Sequence, residues 1–299
     1  VTEAAQPRTA PGVLREAVRE FVAAQSGRGL DIVSLEVVED GKAIAGKVLT
    51  QPQARALSEI ARAHGARLDI AVVADPERGF EEGWSEITVD VIDLWRTPER
   101  AGAEMGRQTQ YMANDGPLRR LGRQAEWALV QGPDLALGWA AAIDLRDVAA
   151  GSAHPWSALA RAAEGSSRPP ARADASAAGV LGRARSELGV PYVWGGTTHA
   201  GFDCSGLVER VLLDATGVLM PRHTADQRRV GARVVAGEVQ RGDLLFARPL
   251  SQKVGHVILM TSATTVLHAC RTEHRVIEES LDDNARRYQH QGWRRPVTL

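Results

Sequence analysis

Only two cysteines, Cys204 and Cys270, occur in the 299 residues, too few for a disulfide framework. A single Cys204–Cys270 bridge would consume both thiols. Lysine is almost as scarce: Lys42, Lys47 and Lys253 are the only three, so arginine carries nearly all the positive charge. That bias reads as genome composition, not as a binding code. A net charge of -1 leaves no basic excess for a nucleic-acid binder. No run is long and apolar enough for a membrane span. Val1 to Pro11 lacks the charged and apolar regions of a signal peptide, so the expected location is cytoplasmic, or extracytoplasmic if a leader has been removed.

What is present divides into units. Leu14, Ala17, Val18, Phe21 and Val22 form one stripe of a helix over 11–26. Strands follow at about Asp31–Val38 and Lys42–Leu49, joined through Glu39-Asp40-Gly41 as a hairpin. Pro52 opens a second helix that ends at Gly65, and Leu68–Val73 reads as a third strand. The α-β-β-α-β order predicts a small α+β domain over 1–80 with no chemistry of its own. Over 85–150, short strand candidates (Ile87–Trp95, Gln108–Met112, Leu118–Leu121, Trp127–Gln131, Leu137–Ala141) alternate with turn signals such as Asp115-Gly116-Pro117 and Gly132-Pro133-Asp134. That spacing suits a small β-barrel. Val91-Ile92-Asp93-Leu94-Trp95, Trp127-Ala128-Leu129-Val130-Gln131 and Gly138-Trp139 resemble bacterial SH3-like domains. Trp95, Tyr111 and Trp127 are candidates to line a peptide groove, or else to fill the barrel, as Trp139 would. Residues 151–178 turn to Ala, Ser, Pro and Arg without apolar periodicity and read as a linker, with Trp156 at its start available for docking.

The chemistry lies in 179–299. A helix is expected at about Val180–Glu187, then a glycine-rich loop, then a second helix starting at Cys204 and closing at Gly217. Asp203 is its expected N-cap, and Leu207, Val208, Val211 and Leu212 recur at helical spacing. A thiol at a helix N-terminus meets the positive end of the macrodipole, which favours the reactive thiolate. A small buried cysteine is the alternative for such a position. Two strands, about Gly255–Met260 and Thr265–Cys270, flank the short turn Thr261–Thr264, so His256 and His268 should lie at the same end of one antiparallel sheet. A thiol needs a base, and a base works best when a third polar group sets its tautomer. His256 is the candidate base and His268 the orienting group. His154, His274 and His290 stand in polar surroundings and read as exposed, and His199 is a weaker candidate in the loop before Cys204. Cys270, two residues after His268, should be a buried structural thiol. Zinc is the rival use of histidines and cysteines, but no close Cys-x-x-Cys or His-x-x-x-His pair occurs.

The string Tyr192-x-Trp194-Gly195-Gly196, Phe202-Asp203-Cys204-Ser205-Gly206-Leu207, Pro221-Arg222, Gln227, Gly242-Asp243-Leu244, His256-Val257 and His268-Ala269 resembles the NlpC family of cell-wall cysteine peptidases. The resemblance implies an α+β fold with a papain-like core in permuted order, preceded here by the SH3-like barrel and the N-terminal α-β-β-α-β domain. It implies Cys204 as nucleophile, His256 as base, His268 as the third residue, and Tyr192, Asp203 and Ser205 flanking the substrate. No cofactor is expected. The implied reaction is cleavage between γ-D-glutamate and a diamino acid in peptidoglycan stem peptides, with peptidoglycan or murein peptide as the partner and no nucleic acid or membrane span. SH3-like domains in such proteins can form part of the substrate groove. One departure stands out: His223-Thr224 follows Pro221-Arg222, where members that trim free stem peptides resemble one another in carrying Asp-Ser. That Asp is implied to hold the substrate's amino terminus, and His223 supplies no carboxylate for it. A thiol acyltransferase or amidase, or a non-catalytic wall-binding protein, would use the same scaffold. Nothing in the sequence sets the oligomeric state.

Overall fold

The computed structural model describes residues 11–26, 34–74, 83–98, 106–134, 136–148, 175–251 and 255–297. His154, Trp156 and the expected linker as far as residue 174 lie outside the described residues, as do residues 31–33 of the first expected strand.

The N-terminal unit follows its hydrophobic pattern. Helix α1 (Pro11–Ser26), strands β1 (Ser34–Val38) and β2 (Ala43–Thr50), helix α2 (Gln51–Ala63) and strand β3 (Arg67–Ala74) occur in the expected order. β1 and β2 are antiparallel, whereas β2 and β3 are parallel because α2 crosses between them. Leu14, Val18 and Phe21 of α1 and Leu57 and Ala61 of α2 are buried with Ile44 and Val48 of β2.

Seven antiparallel strands follow: β4 (Gly83–Ile87), β5 (Val91–Trp95), β6 (Arg107–Met112), β7 (Leu118–Gln124), β8 (Trp127–Gln131), β9 (Leu137–Ala141) and β10 (Leu145–Val148). They pair in the order β10-β4-β7-β8-β9-β5-β6. The single strand expected over Ile87–Trp95 is instead two, broken after Ile87, and they lie apart in the sheet. β4 pairs with β7 and β10 while β5 pairs with β6 and β9. Apolar and polar residues alternate from Ile87 through Val91, so the pattern runs on through the break without marking it. Trp139 is buried and Trp127 half-buried beside Leu121, Leu129 and Leu137. Tyr111 lines no groove: it is 2% exposed in the core with Ile92, Leu94 and Val130, and its hydroxyl donates to Asp134.

The C-terminal unit packs helix α3 (Ala177–Arg185) and helix α4 (Cys204–Thr216) on a six-stranded antiparallel sheet. Its strands are β13 (Ala232–Val234), β14 (Leu244–Pro249), β15 (His256–Met260), β16 (Thr265–Cys270), β17 (Arg275–Ser280) and β18 (Tyr288–Arg295), ordered β13-β18-β14-β15-β16-β17. A two-stranded ribbon, β11 (Thr197–Thr198) with β12 (Gly201–Phe202), precedes α4. Leu207, Val211 and Leu212 of α4 meet Phe246, Val257, Leu259 and Leu267 of the sheet in one core. This docking sets the N-terminus of α4 against β15.

The two C-terminal units share a polar seam. Thr197 Oγ1 donates to the Gln110 carbonyl at 2.8 Å, and Arg210 on α4 grips Asp115 with two hydrogen bonds of 2.9 and 2.8 Å. Arg222 donates from its backbone N–H to the Asp134 carbonyl at 3.1 Å and from Nε to Thr109 Oγ1 at 2.9 Å. Within the seam Glu209 and Asp134 are buried, and burial pushes both carboxyls above their usual range, with Asp134 and Asp115 adding to the rise at Glu209 and Asp115 to that at Asp134.

Candidate active site

Asp203 caps α4 from outside the helix: its Oδ1 accepts from the Gly206 N–H at 2.8 Å. Cys204 is therefore the first helical residue, as the sequence predicts. The glycines around it have steric reasons. Gly195 has φ +73°, and a Cβ on Gly206 would sit 2.1 Å from the Gly196 carbonyl oxygen. Only a residue without a side chain lets the loop lie against the first turn of α4.

Asp203 is fully occupied by the protein itself. Oδ2 accepts from the Gly195 N–H at 2.9 Å and from Arg222 at 2.6 Å; Oδ1 also accepts from Arg222 at 3.0 Å and from Ser205 Oγ at 3.2 Å. Arg222 donates to Ser205 Oγ as well, at 2.8 Å. Ser205 and Asp203 both reach the cavity wall, yet their polar atoms are engaged with Arg222. Gln227 supports the same turn, donating to the carbonyls of Ser205 and Pro221 at 3.0 and 2.8 Å.

His256 begins β15 and His268 lies on the neighbouring β16. His256 Nε2 and His268 Nδ1 are 2.8 Å apart, and His268 Nε2 is 2.9 Å from Glu279 Oε1 on β17. Burial opposes ionisation of Glu279, but hydrogen bonds from His268 and Asn284 outweigh it and hold the carboxyl down to about 2. An ionised carboxylate only accepts, so His268 carries its proton on Nε2. Its Nδ1 is then an acceptor, and His256 must donate from Nε2. The lone pair of His256 is thereby left on Nδ1. A 4.7 Å stack with Tyr288, interplanar angle 10°, holds the His256 ring. Asn284 Nδ2 donates to Glu279 Oε1 at 2.9 Å while Asn284 Oδ1 accepts from His290 Nε2 at 2.9 Å, and Arg287 donates to Glu279 Oε2. His290 is thus half-buried and engaged, not exposed as its polar neighbours in sequence suggest.

Cys204, His256 and Tyr192 line one cavity of about 690 Å³ with Trp194, Thr224 and Tyr288. Cys204 Sγ makes its side-chain hydrogen-bond contact with Thr224 Oγ1, at 3.8 Å, not with His256. Burial, with the Asp203 carboxylate adding to it, pushes the thiol up to about 11. Burial of the sulfur thus works against the thiolate that a helix N-terminus favours. Burial, helped by His268 and Arg287, lowers His256 well below the ordinary imidazole value. Thiol and imidazole therefore rest as a neutral pair at pH 7. Tyr192 is half-buried, and burial first, then Cys204 and Asp203, raise its hydroxyl, so it stays a donor. Cys270 is buried against the Tyr288 hydroxyl at 3.7 Å, as expected of a structural thiol. His199 is exposed and meets Glu187, away from Cys204.

The depressed histidines set a pH dependence. His256 and His268 are held neutral in the fold, whereas the unfolded chain binds protons there below about pH 6.5. Their contribution to stability is complete above that value and is lost as pH falls toward the lowered folded values. Glu279 acts in the same direction, its contribution being lost between its unfolded value of 4.5 and about 2. Thermal melts from pH 8 to pH 4 should show Tm falling from about pH 6.5 downward, and His268→Asn should flatten the upper part of that fall.

The NlpC/P60 family model matches residues 189–296. The chain is 35% identical over 107 residues to the probable endopeptidase NlpC of Escherichia coli K12, a match covering 36% of this chain and 69% of that protein. The chain belongs to the NlpC/P60 family. Among other relatives of this NlpC/P60 protein, the peptidoglycan endopeptidase RipB of Mycobacterium tuberculosis is 42% identical over 107 residues, covering 31% of this chain and 44% of RipB. A γ-D-glutamyl-L-lysine dipeptidyl-peptidase of Bacillus cereus is 36% identical over 91 residues, covering 30% of this chain and 27% of that enzyme. The chain thus spans less than half the length of these two relatives. Sequence reasoning missed Glu279, Asn284, Arg287 and Tyr288 around the histidines of this NlpC/P60 chain. None sits in a motif, and only strand pairing between β16 and β17 brings Glu279 beside His268.

Proposed function

We propose that this protein is a cysteine peptidase of peptidoglycan stem peptides, hydrolysing the bond between γ-D-glutamate and a diamino acid. The observation that carries the reading is a buried Cys204 thiol on a helix N-terminus, sharing one cavity with a histidine whose proton position is set by the His268–Glu279 pair. Relatives named peptidoglycan endopeptidase and γ-D-glutamyl-L-lysine dipeptidyl-peptidase supply the substrate class.

In this mechanism His256 Nδ1 takes the proton from Cys204 Sγ as the sulfur attacks the γ-carbonyl carbon. The carbonyl π pair moves to oxygen, and the Cys204 backbone N–H at the first turn of α4 receives that oxyanion, with the Tyr192 hydroxyl as a further donor. Protonated His256 gives its proton to the departing amine as the C–N bond breaks. A water then loses a proton to His256, attacks the thioester, and restores the thiol. His268 is the positioning residue, since it fixes the tautomer without meeting the substrate. Starting from a neutral pair, charge separates only when a substrate is present to be attacked. Asp203 and Ser205 are read as holding Arg222 and the turn beside the substrate, since their polar atoms are already used.

The same proposal takes 1–80 as a small α+β domain, 85–150 as an SH3-like barrel whose Arg107 and Gln108 meet the cavity, 151–178 as the linker and 179–299 as the papain-like peptidase core. Mass spectrometry of L-Ala-γ-D-Glu-diaminopimelate incubated with wild type and with Cys204→Ala tests the reaction, beside the same peptide attached to muramic acid. Release of free diaminopimelate by wild type alone is the expected result. No release from either substrate would sink the peptidase reading and leave acyl transfer or wall binding.

A further inference from the structure

The His256 imidazole is held on its face as well as at its edge. The hydrogen bond from Nε2 to His268, 2.8 Å long, fixes where the edge of the ring lies. It does not fix the plane, because rotation about the Cβ–Cγ bond of histidine is broad and two-fold, and a ring can pivot about a single hydrogen bond. The Tyr288 ring supplies the second restraint. It lies 4.7 Å from the His256 ring and 10° from parallel, and it meets the His268 ring at 5.6 Å and 87°. One aromatic ring therefore packs against both members of the His256–His268 pair. Tyr288 is 4% exposed, so on that side the pair meets carbon and not water. The sheet explains how a residue two strands away reaches His256. Tyr288 opens β18 and His256 opens β15, with β14 between them. The β14 residue paired with His256 is Ala247, buried in one cluster with Tyr288, Leu245, Ile258 and Val266. Its methyl group is short enough to leave a large ring room to cross the strand. The Tyr288 hydroxyl meets Cys270 Sγ at 3.7 Å, so it is the ring that serves the histidines.

Building on the peptidase reading, we infer that Tyr288 is a second positioning residue, whose ring locks the plane of His256 and keeps water from the His256–His268 hydrogen bond. Tyr288 neither gives nor takes a proton in this role. Locking the plane keeps His256 Nδ1 directed to the thiol as the sulfur attacks, where a misplacement of about 1 Å costs about 10²-fold in rate. Keeping water out holds the imidazole neutral, since an imidazolium loses its hydration when buried. The other groups around the ring do not undo this. His268 and Arg287 both oppose a positive charge on His256. Glu279 is occupied by His268, Asn284 and Arg287. The Cys204 thiol is neutral, and burial lowers His290 on β18 as well. Only a neutral His256 can accept the thiol proton, so the dry contact with Tyr288 extends turnover to lower pH.

Two substitutions in the full-length chain separate the flat ring from mere bulk. Tyr288→Leu keeps apolar volume beside Leu245, Ile258 and Val266 but offers no flat face, whereas Tyr288→Phe keeps the face and loses only the hydroxyl. The leucine variant should lower kcat for L-Ala-γ-D-Glu-diaminopimelate by about tenfold or more with KM within about threefold, and the acid limb of its kcat/KM profile should move to higher pH. Phenylalanine should restore kcat to within about threefold of wild type and return the acid limb to its place. The histidine ring carbons, followed by NMR from pH 8 to pH 5 in ¹³C-labelled protein, read the same shielding without a substrate. His256 should titrate higher in the leucine variant than in wild type by about 0.5 pH units or more, and in the phenylalanine variant within about 0.2 of wild type. A leucine variant with kcat within about twofold of wild type, or with His256 titrating where it does in wild type, would overturn the inference. So would a phenylalanine variant as impaired as leucine, which would give the role to the hydroxyl. If wild type cleaves no stem peptide, the peptidase reading fails by itself, and the titration still decides whether Tyr288 shields His256.

Discussion

Cys204→Ala should lower kcat/KM for stem-peptide hydrolysis by about 10⁴ or more, because nucleophile and base act as a unit and the remaining groups only bind and polarise. Cys204→Ser should fare little better. The hydroxyl is a weaker acid than a thiol, and the neutral His256 would have to deprotonate it in a buried site. Neither change should unfold the protein, since Cys204 lies at the cavity edge of the core and alanine suits the first turn of a helix. A Tm within about 3 °C of wild type, with activity lost, separates chemistry from folding. Cys270→Ala is the control: that thiol faces Tyr288 and Arg287 behind the histidines and should be dispensable for turnover within about threefold. Alkylation adds a second readout. With the Cys204 thiol at about 11, only about one part in 10⁴ is thiolate at pH 7, so the rate of labelling by iodoacetamide should climb with pH through the alkaline range. Hydrolysis above about 1% of wild type in Cys204→Ala would remove this residue from the mechanism.

Arg222→Met should cause the largest loss of stability of any single change considered. Arg222 is 1% exposed, the largest side chain so fully buried among the described residues, and it ties together Asp203, Ser205 and Thr109. Methionine fills much of the space but leaves the Asp203 carboxylate without its cation. An uncompensated buried charge costs about 3–5 kcal/mol, which corresponds to a Tm lower by roughly 8–15 °C for a unit of this size. Activity should fall too, because Asp203 caps the helix that carries Cys204 and bonds to the Gly195 N–H of the adjoining loop. The double variant Arg222→Met with Asp203→Asn tests the cause. Asparagine can still cap α4 and bears no charge, so the pair should recover about half of the lost stability by denaturant titration. If the double variant is as unstable as the sum of its parts, the ion pair is not the source of the effect. The same arginine reaches Thr109 on β6, so loss of Arg222 also removes a hydrogen bond between the seven-stranded unit and the C-terminal unit.

The local chemistry of the site was legible in the linear chain for definite reasons. An N-cap residue before an apolar period marks a helix start, and that placed Cys204 at the first turn of α4 with Asp203 outside it. A short turn between two apolar runs made β15 and β16 neighbours, and so made His256 and His268 partners. The N-terminal α-β-β-α-β order followed from apolar periodicity together with the turn at Glu39-Asp40-Gly41 and the helix limits at Pro52 and Gly65. These are all relations between residues close in sequence.

Tertiary structure decided what depends on distant residues. The split of Ile87–Trp95 into strands that lie apart in the sheet follows from which strands they pair with, and β10, which shares Val148 to Leu145 with β4, gave no turn signal. The ionisation states belong here too. A helix terminus alone argues for a thiolate at Cys204, whereas burial and the Asp203 carboxylate raise the thiol. The proton on His268 is assigned by Glu279, eleven residues away on the next strand. Sequence by itself determined which residue types stand at the starts of helices and strands, because local backbone geometry is written in local patterns. Only the fold determined how those groups are desolvated and paired, because solvent exclusion and Coulomb interactions depend on the whole surroundings of a group and not on its neighbours in the chain.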